Sequence, residues 1–517
     1  MTTTPPPLPA SLDQNSLQQK IFLLAILFGV TLRIVASIFG DIGVYVDGAT
    51  RIAMAMRWAE NPTWMGLSGV WPPSHIYFLG TLIRVWNEPV ILAKVIGFVC
   101  GIATIFVFRS AVKHRFGPLV ASLSALLLSV YWTHIWLTTS YWAEVPYLLF
   151  VLIATHYAEQ ARTTLKWKFA LGCGVFISLA ILLRNEALLL MGIFSLWYLV
   201  NIRRLKIFLT FFTLPALLTA WYFVEPVLRG GSYLGYFSYV VSSKGFENAV
   251  EDISRGDALW QWVLMLGAAP TLLVVLPGLY GLWQNRRRAL SDLFAWMFVT
   301  QVAFYFSMTL ALAWRPQLRY LMLQFVNLFP YAAMVWLTLM RRYTPRYALV
   351  TLLGFMIAVQ SLGWWAGRNN RLPGGWLPLQ VITAPQKIVD NYIASLNAAD
   401  RNEPIKIGSI VPGPRAERWS LEHSFVFNRV KSNRVQLEEV DVHVEPAVLS
   451  GTLPAKLLAA DLILIDPQAV FYAAVFSSLS RQQPLLATRK LHPHVEVIFL
   501  SEQARNNPGY ARLISTF

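Results

Sequence analysis

Residues 89–115 read PVILAKVIGFVCGIATIFVFRSAVKHR, and their order decides the fold. Pro89 to Phe108 is apolar apart from Lys94. Its length suits a hydrocarbon core about 30 Å thick, which takes roughly 20 apolar residues to cross as a helix. Arg109, Lys113 and Arg115 follow at once, and a second apolar run opens at Leu119. Two apolar runs joined by a short basic connection describe two membrane helices that meet on the cytoplasmic side.

The pattern repeats outward from there. Basic clusters recur at Arg162, Lys166 and Lys168, at Arg203, Arg204 and Lys206, at Arg286, Arg287 and Arg288, and at Arg341, Arg342 and Arg346. Each lies between two apolar runs, at every second connection. The spacing predicts eleven transmembrane helices, over 21–39, 89–108, 119–135, 143–159, 169–183, 187–200, 207–224, 258–283, 293–313, 320–340 and 347–365. The connections 40–88, 136–142, 184–186, 225–257 and 314–319 then face outward, as does everything beyond 366. Of the 517 residues 56% are apolar and 14% charged, against about 25% charged in an average soluble domain. The net charge of +16 is therefore a topology signal, and no nucleic-acid partner is expected. Residues 1–20 form a cytoplasmic tail without a basic n-region or small-residue cleavage site, so 21–39 reads as a retained span. Cys100 and Cys173 both lie in apolar runs and suggest no disulfide framework.

After this membrane domain (21–365), residues 366–517 carry β-like runs at 405–411, 425–430, 440–444, 462–465 and 495–500. Helical spacing at 384–399 and 469–479 accompanies them. Strands mixed with helices predict a C-terminal extracytoplasmic α/β domain. It has no glycine fingerprint or phosphate loop, so no chemistry is assigned to it.

The residues that suggest chemistry lie on the outward side. Loop 40–88 is far longer than an ordinary helix–helix connection, a mark of function. Within it Ala49, Ile52, Ala53, Met56 and Ala59 recur at helical spacing behind Asp47, Thr50 and Arg51, as in an amphipathic helix lying at the membrane interface. Asp47 is a good N-cap for that helix, a role compatible with offering a carboxylate oxygen to a substrate. The segment Trp71-Pro72-Pro73-Ser74-His75 is a rigid lead-in, since two prolines fix φ twice. Glu144 opens the fourth span after Tyr141 and Trp142, two aromatic candidates for stacking on a sugar. Arg184-Asn185-Glu186 turns between the fifth and sixth spans, and Arg315, Arg319 and Tyr320 lead into the tenth. Arg33 and Lys94 lie inside the first and second spans, where snorkelling accounts easily for one such cation. Carboxylates and several cations converging on one face suit an anionic lipid headgroup, with arginines gripping phosphate oxygens.

In this order the elements resemble the polyprenyl-phosphate-sugar-dependent glycosyltransferases of the GT-C fold, the branch of protein O-mannosyltransferases and aminoarabinose transferases. The resemblance runs over about residues 20–340 and rests on Asp47-Gly48-Ala49-Thr50-Arg51, Trp71-Pro72-Pro73-Ser74, Glu144, Arg184-Asn185-Glu186-Ala187-Leu188 and Arg319-Tyr320-Leu321. Gly48 stands where that family usually has glutamate, and Trp71 where it often has a cation; His75 and Lys94 are the candidate substitutes. The resemblance implies an inverting transfer of sugar from a polyprenyl phosphate to an acceptor hydroxyl. Asp47 is the implied general base, and Lys94, Arg184, Arg319, Arg315 and His75 the ligands of the donor phosphate. Arg51, Tyr141, Trp142, Glu186 and Tyr320 are expected to contact substrate. Glu144 is expected to orient the acceptor or the surroundings of Asp47. No Asp-x-Asp or histidine cluster requires a cofactor, and any metal used would be Mg²⁺ or Mn²⁺ on oxygen ligands. The expected partners are a polyprenyl-phosphate-linked sugar, a lipid, glycan or protein acceptor, and membrane lipids. The expected location is a bacterial cytoplasmic (inner) membrane, with the site facing the periplasm. A secondary transporter would show internal repeats and charges near the midplane; the sequence shows no repeat, and most candidate charges sit at the outward ends. A non-catalytic scaffold of envelope glycan assembly is the other alternative.

Overall fold

The computed structural model describes residues 14–39, 46–63, 72–139, 143–228, 254–267, 271–311 and 318–342 of the membrane domain. Beyond these it describes 405–411, 435–441, 455–465, 472–482, 487–492 and 495–500, and the single positions 354 and 358. The first group is a helical bundle. Its helices are α1 (Gln14–Phe39), α2 (Val46–Glu60), α3 (Ser74–Val85), α4 (Pro89–Phe116), α5 (Pro118–Ser129), α6 (Trp132–Thr139), α7 (Glu144–Thr164) and α8 (Trp167–Ile181). They continue with α9 (Ala187–Asn201), α10 (Leu205–Leu228), α11 (Arg255–Gly267), α12 (Thr271–Gln284), α13 (Arg286–Ala289), α14 (Leu293–Leu310) and α15 (Leu318–Arg342).

Among the described residues five helices are long and apolar enough to cross a membrane, and the bent pair α5–α6 makes a sixth. Helices α8 and α9 are shorter apolar helices. The predicted spans correspond to helices, with one difference. The predicted span 119–135 is broken, α5 and α6 meeting at 58°. The predicted span 258–283 is described as α11 and α12, with 268–270 outside the described residues. The predicted span 347–365 lies outside the described residues except at 354 and 358.

Arg33 explains how the break in α5–α6 is tolerated. It does not snorkel to the interface but is fully buried. Its guanidinium donates to the carbonyls of Gly29 (2.7 Å) and Ser129 (3.2 Å) and meets Nδ1 of His134 at 2.5 Å. Ser129 ends α5, so a carbonyl left without an intrahelical donor is satisfied by a cation at the negative end of that helix.

Packing places α7 against α4 and α8, and α15 against α5, α12 and α14, all within one continuous apolar core. Gly281 of α12 permits a close approach, because a Cβ there would lie 2.5 Å from the carbonyl of Tyr331 in α15. Helix α2 does not use its predicted stripe to rest only on the membrane interface. Ile52 and Ala55 pack with Ile76, Leu79 and Ile83 of α3 and Leu92 and Ala93 of α4 in a second, outward apolar cluster.

The C-terminal residues form a five-stranded sheet, from β1 (Ile405–Val411), β2 (Val435–Asp441), β3 (Leu462–Ile465), β4 (Ala487–His492) and β5 (Val495–Phe499), in the order β2-β1-β3-β5-β4. Strands β2, β1 and β3 are parallel; β5 runs antiparallel to β3 and to β4. Helices α16 (Ala455–Leu458) and α17 (Tyr472–Gln482) complete the described α/β part. Strand β2 lies earlier than the predicted 440–444, while 425–430 and 384–399 fall outside the described residues. Strand β4 was not predicted. Its Arg489, Lys490 and His492 hide its periodicity, and such charge suits its place at a sheet edge.

Candidate active site

Three helix ends build the site. Glu144 is the first residue of α7, where the positive end of a helix favours a carboxylate. Arg184 follows the C-terminus of α8, its backbone N–H bonded to the Ala180 carbonyl at 2.9 Å, where a cation is favoured. Glu186 immediately precedes α9, at another positive helix end. The turn Leu182–Glu186 and the start of α7 therefore align three charges with the helix termini that stabilise each.

These side chains meet. Arg184 forms an ion pair with Glu144 through Nη1 and Oε1, and its Nε and Nη2 fork onto Glu186 at 3.1 and 2.5 Å. Nη1 of Arg51, from α2, stands 3.7 Å from the second oxygen of Glu144. Glu144 thus lies between two arginines contributed by segments remote in sequence. All three residues are buried, Arg51 at 3%, Glu144 at 2% and Arg184 at 8% exposure. Burial disfavours the charge on Arg184, but Glu144 and Glu186 outweigh it and hold its pKa well above the ordinary value. Burial likewise opposes the charge on Glu186, and Arg184 outweighs it, holding that carboxyl below its usual range.

The double proline positions the neighbouring helix. Pro72 and Pro73 are buried, and Pro73 is the N-cap of α3. The hydroxyl of Ser74 donates to the Leu182 carbonyl, tying α3 to the Arg184 turn. His75 is buried in the first turn of α3. Burial first, and then the field of Arg51, push its pKa well below the usual histidine value; a backbone hydrogen bond at Pro72 opposes this and Arg184 adds to it. His75 is therefore a neutral imidazole at pH 7.

A cleft opens beside the cluster. Glu144, Tyr147, Arg184 and Glu186 form one wall. Gln301 and Tyr305 of α14, with Tyr320 and Gln324 of α15, form the other. The Arg184 guanidinium lies 5.2 Å from the Tyr320 ring centre, a cation–π contact across the cleft.

The structure thus brings together Arg51, His75, Glu144, Arg184, Glu186 and Tyr320. Asp47 lies in the first turn of α2, four residues before Arg51; its side chain is outside the described set. Arg319 immediately precedes Tyr320 in α15, again with its side chain outside that set. Lys94 is half-buried in the second turn of α4, next to Ala93 of the outward apolar cluster. Tyr141, Trp142 and Arg315 lie outside the described residues. Sequence reading missed Tyr147, Gln301, Tyr305 and Gln324. A signal for some was present, because Tyr320, Gln324, Asn327 and Tyr331 follow i, i+4, i+7, i+11 spacing and make one polar stripe along an apolar span.

Among the described residues no three His, Cys, Asp or Glu side chains are grouped to hold a metal ion. The two carboxylates of the cluster, Glu144 and Glu186, are both bonded to Arg184, which already supplies the positive charge between them.

No family model and no curated protein sequence matches the chain. Its fold does match solved structures. ArnT from Cupriavidus metallidurans, bound to undecaprenyl phosphate, superposes with a TM-score of 0.53 over 96% of this chain and 99% of that one, at 13% identity. The Archaeoglobus fulgidus oligosaccharyltransferase, tethered to an acceptor peptide with the NVT sequon, gives 0.53 over 87% of this chain and 69% of that one, at 11% identity. The same organism's AglB, in complex with an inhibitory peptide and a dolichol-phosphate, gives 0.52 over 88% and 70%, also at 11% identity. At such identities the likeness is one of fold, and this chain has the GT-C architecture of those polytopic membrane enzymes.

Proposed function

We propose that the chain is a membrane glycosyltransferase that moves a sugar from a polyprenyl-phosphate donor to an acceptor hydroxyl, on the outward side and with inversion. The observation that carries this reading is the burial of Glu144 and Arg184 together at the wall of a cleft, with buried Arg51 beside Glu144, within a GT-C bundle. Buried ionisable groups in a membrane protein are costly and mark function by default. The solved neighbours, bound to undecaprenyl phosphate and dolichol-phosphate, support a lipid-phosphate donor.

In this mechanism Asp47 takes the proton of the acceptor hydroxyl as its oxygen attacks the anomeric carbon. The bond from that carbon to the phosphate oxygen breaks, and the polyprenyl phosphate departs with the electron pair. Arg319, Arg315 and Lys94 offset the charge on the departing phosphate. Arg184, committed to two carboxylates, acts chiefly by positioning Glu144 and Glu186. Glu144 in turn holds Arg51, one turn beyond Asp47 in α2, and so sets the surroundings of the base. His75 enters as a neutral hydrogen-bond donor. Tyr320, with Tyr141 and Trp142, offers aromatic faces to the sugar. Asp47, Glu144 and Glu186 are the oxygen ligands a Mg²⁺ or Mn²⁺ ion would need. Two of them are already neutralised by Arg184, so no step is routed through a metal.

The same reading places the membrane domain at 21–365 in a bacterial cytoplasmic membrane, with 366–517 on the periplasmic side near a lipid, glycan or protein acceptor. The test is transfer of radiolabelled sugar from undecaprenyl-phosphate donors by the purified chain in vesicles, with the anomeric configuration of the product read by NMR. Transfer with inversion supports the reading. Movement of the donor across the bilayer without transfer would replace it by transport.

A further inference from the structure

Gln301 and Gln324 lie inside the apolar helices α14 and α15, 3% and 1% exposed. The side-chain oxygen of each is buried without a hydrogen-bond partner among the described residues, yet both residues line the cleft. The ordinary reason for amides on adjacent membrane helices is to bond one another across the interface. These two do not, because a bond between them in either direction would satisfy one of the two oxygens. A buried polar atom left open is destabilising and calls for an explanation, and a leucine would serve simple packing better.

We infer that Gln301 and Gln324 determine donor specificity by accepting hydrogen bonds from hydroxyls of the donor sugar at the cleft; this rests on reading the cleft as the donor site. Two observations select that ligand. The open atoms are acceptors, so the group facing them must donate, and an ionised phosphate, which only accepts, is unsuited to them. The cleft residues that α14 and α15 contribute, Gln301, Tyr305, Tyr320, Met322, Leu323 and Gln324, carry no charge, which suits a neutral polyol. Tyr305 and Tyr320 beside the amides supply apolar ring surface for the sugar's C–H face.

The experiment is equilibrium binding to the full-length protein in nanodiscs. The probes are bare undecaprenyl phosphate and its glucose, galactose, mannose and arabinose conjugates, against wild type, Gln301→Leu and Gln324→Leu. At least one monosaccharide conjugate should bind about tenfold or more tighter than the bare lipid phosphate. Each leucine variant should lose about tenfold for that conjugate, the effect of one hydrogen bond, with no change for the bare lipid. Both variants should melt at or above the wild-type temperature, since an unsatisfied amide is removed; a lower melting temperature with unchanged sugar binding would make the amides structural and overturn the inference. So would equal losses for sugar conjugate and bare lipid, or no preference for any monosaccharide in wild type. Labelled-sugar transfer, run in parallel, separates the two claims. Transfer by leucine variants with wild-type discrimination removes this inference alone. Selective sugar binding without any transfer removes the glycosyltransferase reading alone.

Discussion

The two ends of the bundle bury charge in different ways. At the end that carries the basic connections Asp292 caps α14, accepting from the Phe294 N–H at 3.0 Å, and takes the hydroxyl of Tyr331 as well. Glu159 there pairs with Arg162, three residues along its own helix, at 2.8 Å. These partners lie in the same helix or in a single neighbour, and the charges serve the fold. At the opposite end Arg51, Glu144, Arg184 and Glu186 come from three separate segments, and all but Arg51 line a cleft. Satisfaction within one helix needs no ligand; convergence beside a cavity is what chemistry requires.

Breaking the outward cluster should have the largest effect. Arg184→Ala leaves the buried Glu144 and the partly exposed Glu186 without their shared cation and should destabilise the protein by about 3–5 kcal/mol, read as a large fall in melting temperature together with loss of transfer. Glu144→Gln keeps the size of the side chain and should lower transfer by roughly 100-fold or more, within the usual range for groups that support acid–base chemistry. At the other end Tyr331→Phe removes one neutral donor to Asp292 and should cost only about 1–2 kcal/mol while leaving transfer unchanged. A comparable loss of transfer from Tyr331→Phe would erase the contrast between the two ends.

The position of α2 can be tested without touching a charge. A Cβ on Gly80 would lie 2.5 Å from the Trp58 ring and 2.9 Å from the Ala55 carbonyl. Because one of those neighbours is backbone, Gly80→Ala should displace α2, with an overpacking cost of about 1–3 kcal/mol and reduced transfer through misplacement of Arg51. Unchanged activity would show that α2 need not sit where Arg51 reaches Glu144.

The smallest effect concerns pH. The folded protein holds the pKa of His75 below its unfolded value near 6.5, so the unfolded state binds more protons in acid. The stability from neutral His75 is complete above about pH 6.5 and falls by about 1.4 kcal/mol per unit below it, until the folded pKa is reached. His75→Gln should therefore flatten the fall in melting temperature between pH 6.5 and 5.5. An equal fall in wild type and variant would place the acid sensitivity elsewhere.

The membrane helices were legible because the bilayer imposes a length on apolar runs. Glu144, Arg184 and Glu186 were legible because charges at the ends of apolar runs stand out. Gln301 and Gln324 were not, since a neutral amide inside a span resembles interhelical glue until its bonds are traced. Arg33 was misjudged as able to snorkel because the broken helix it caps depends on tertiary packing. Strand β4 was hidden by its edge charges. The burial of α2 against α3 was missed for a related reason: its stripe of small apolar residues fits a membrane surface and a neighbouring helix equally well.

The central claim is that a carboxylate at the start of α2 works beside this outward cluster on a lipid-linked sugar. Its most direct measurement compares wild type and Asp47→Asn, at matched folding, in transferring labelled sugar from an undecaprenyl-phosphate donor. The account predicts a loss of about 10²–10⁴-fold in kcat with donor binding retained. Wild-type turnover by Asp47→Asn would contradict it.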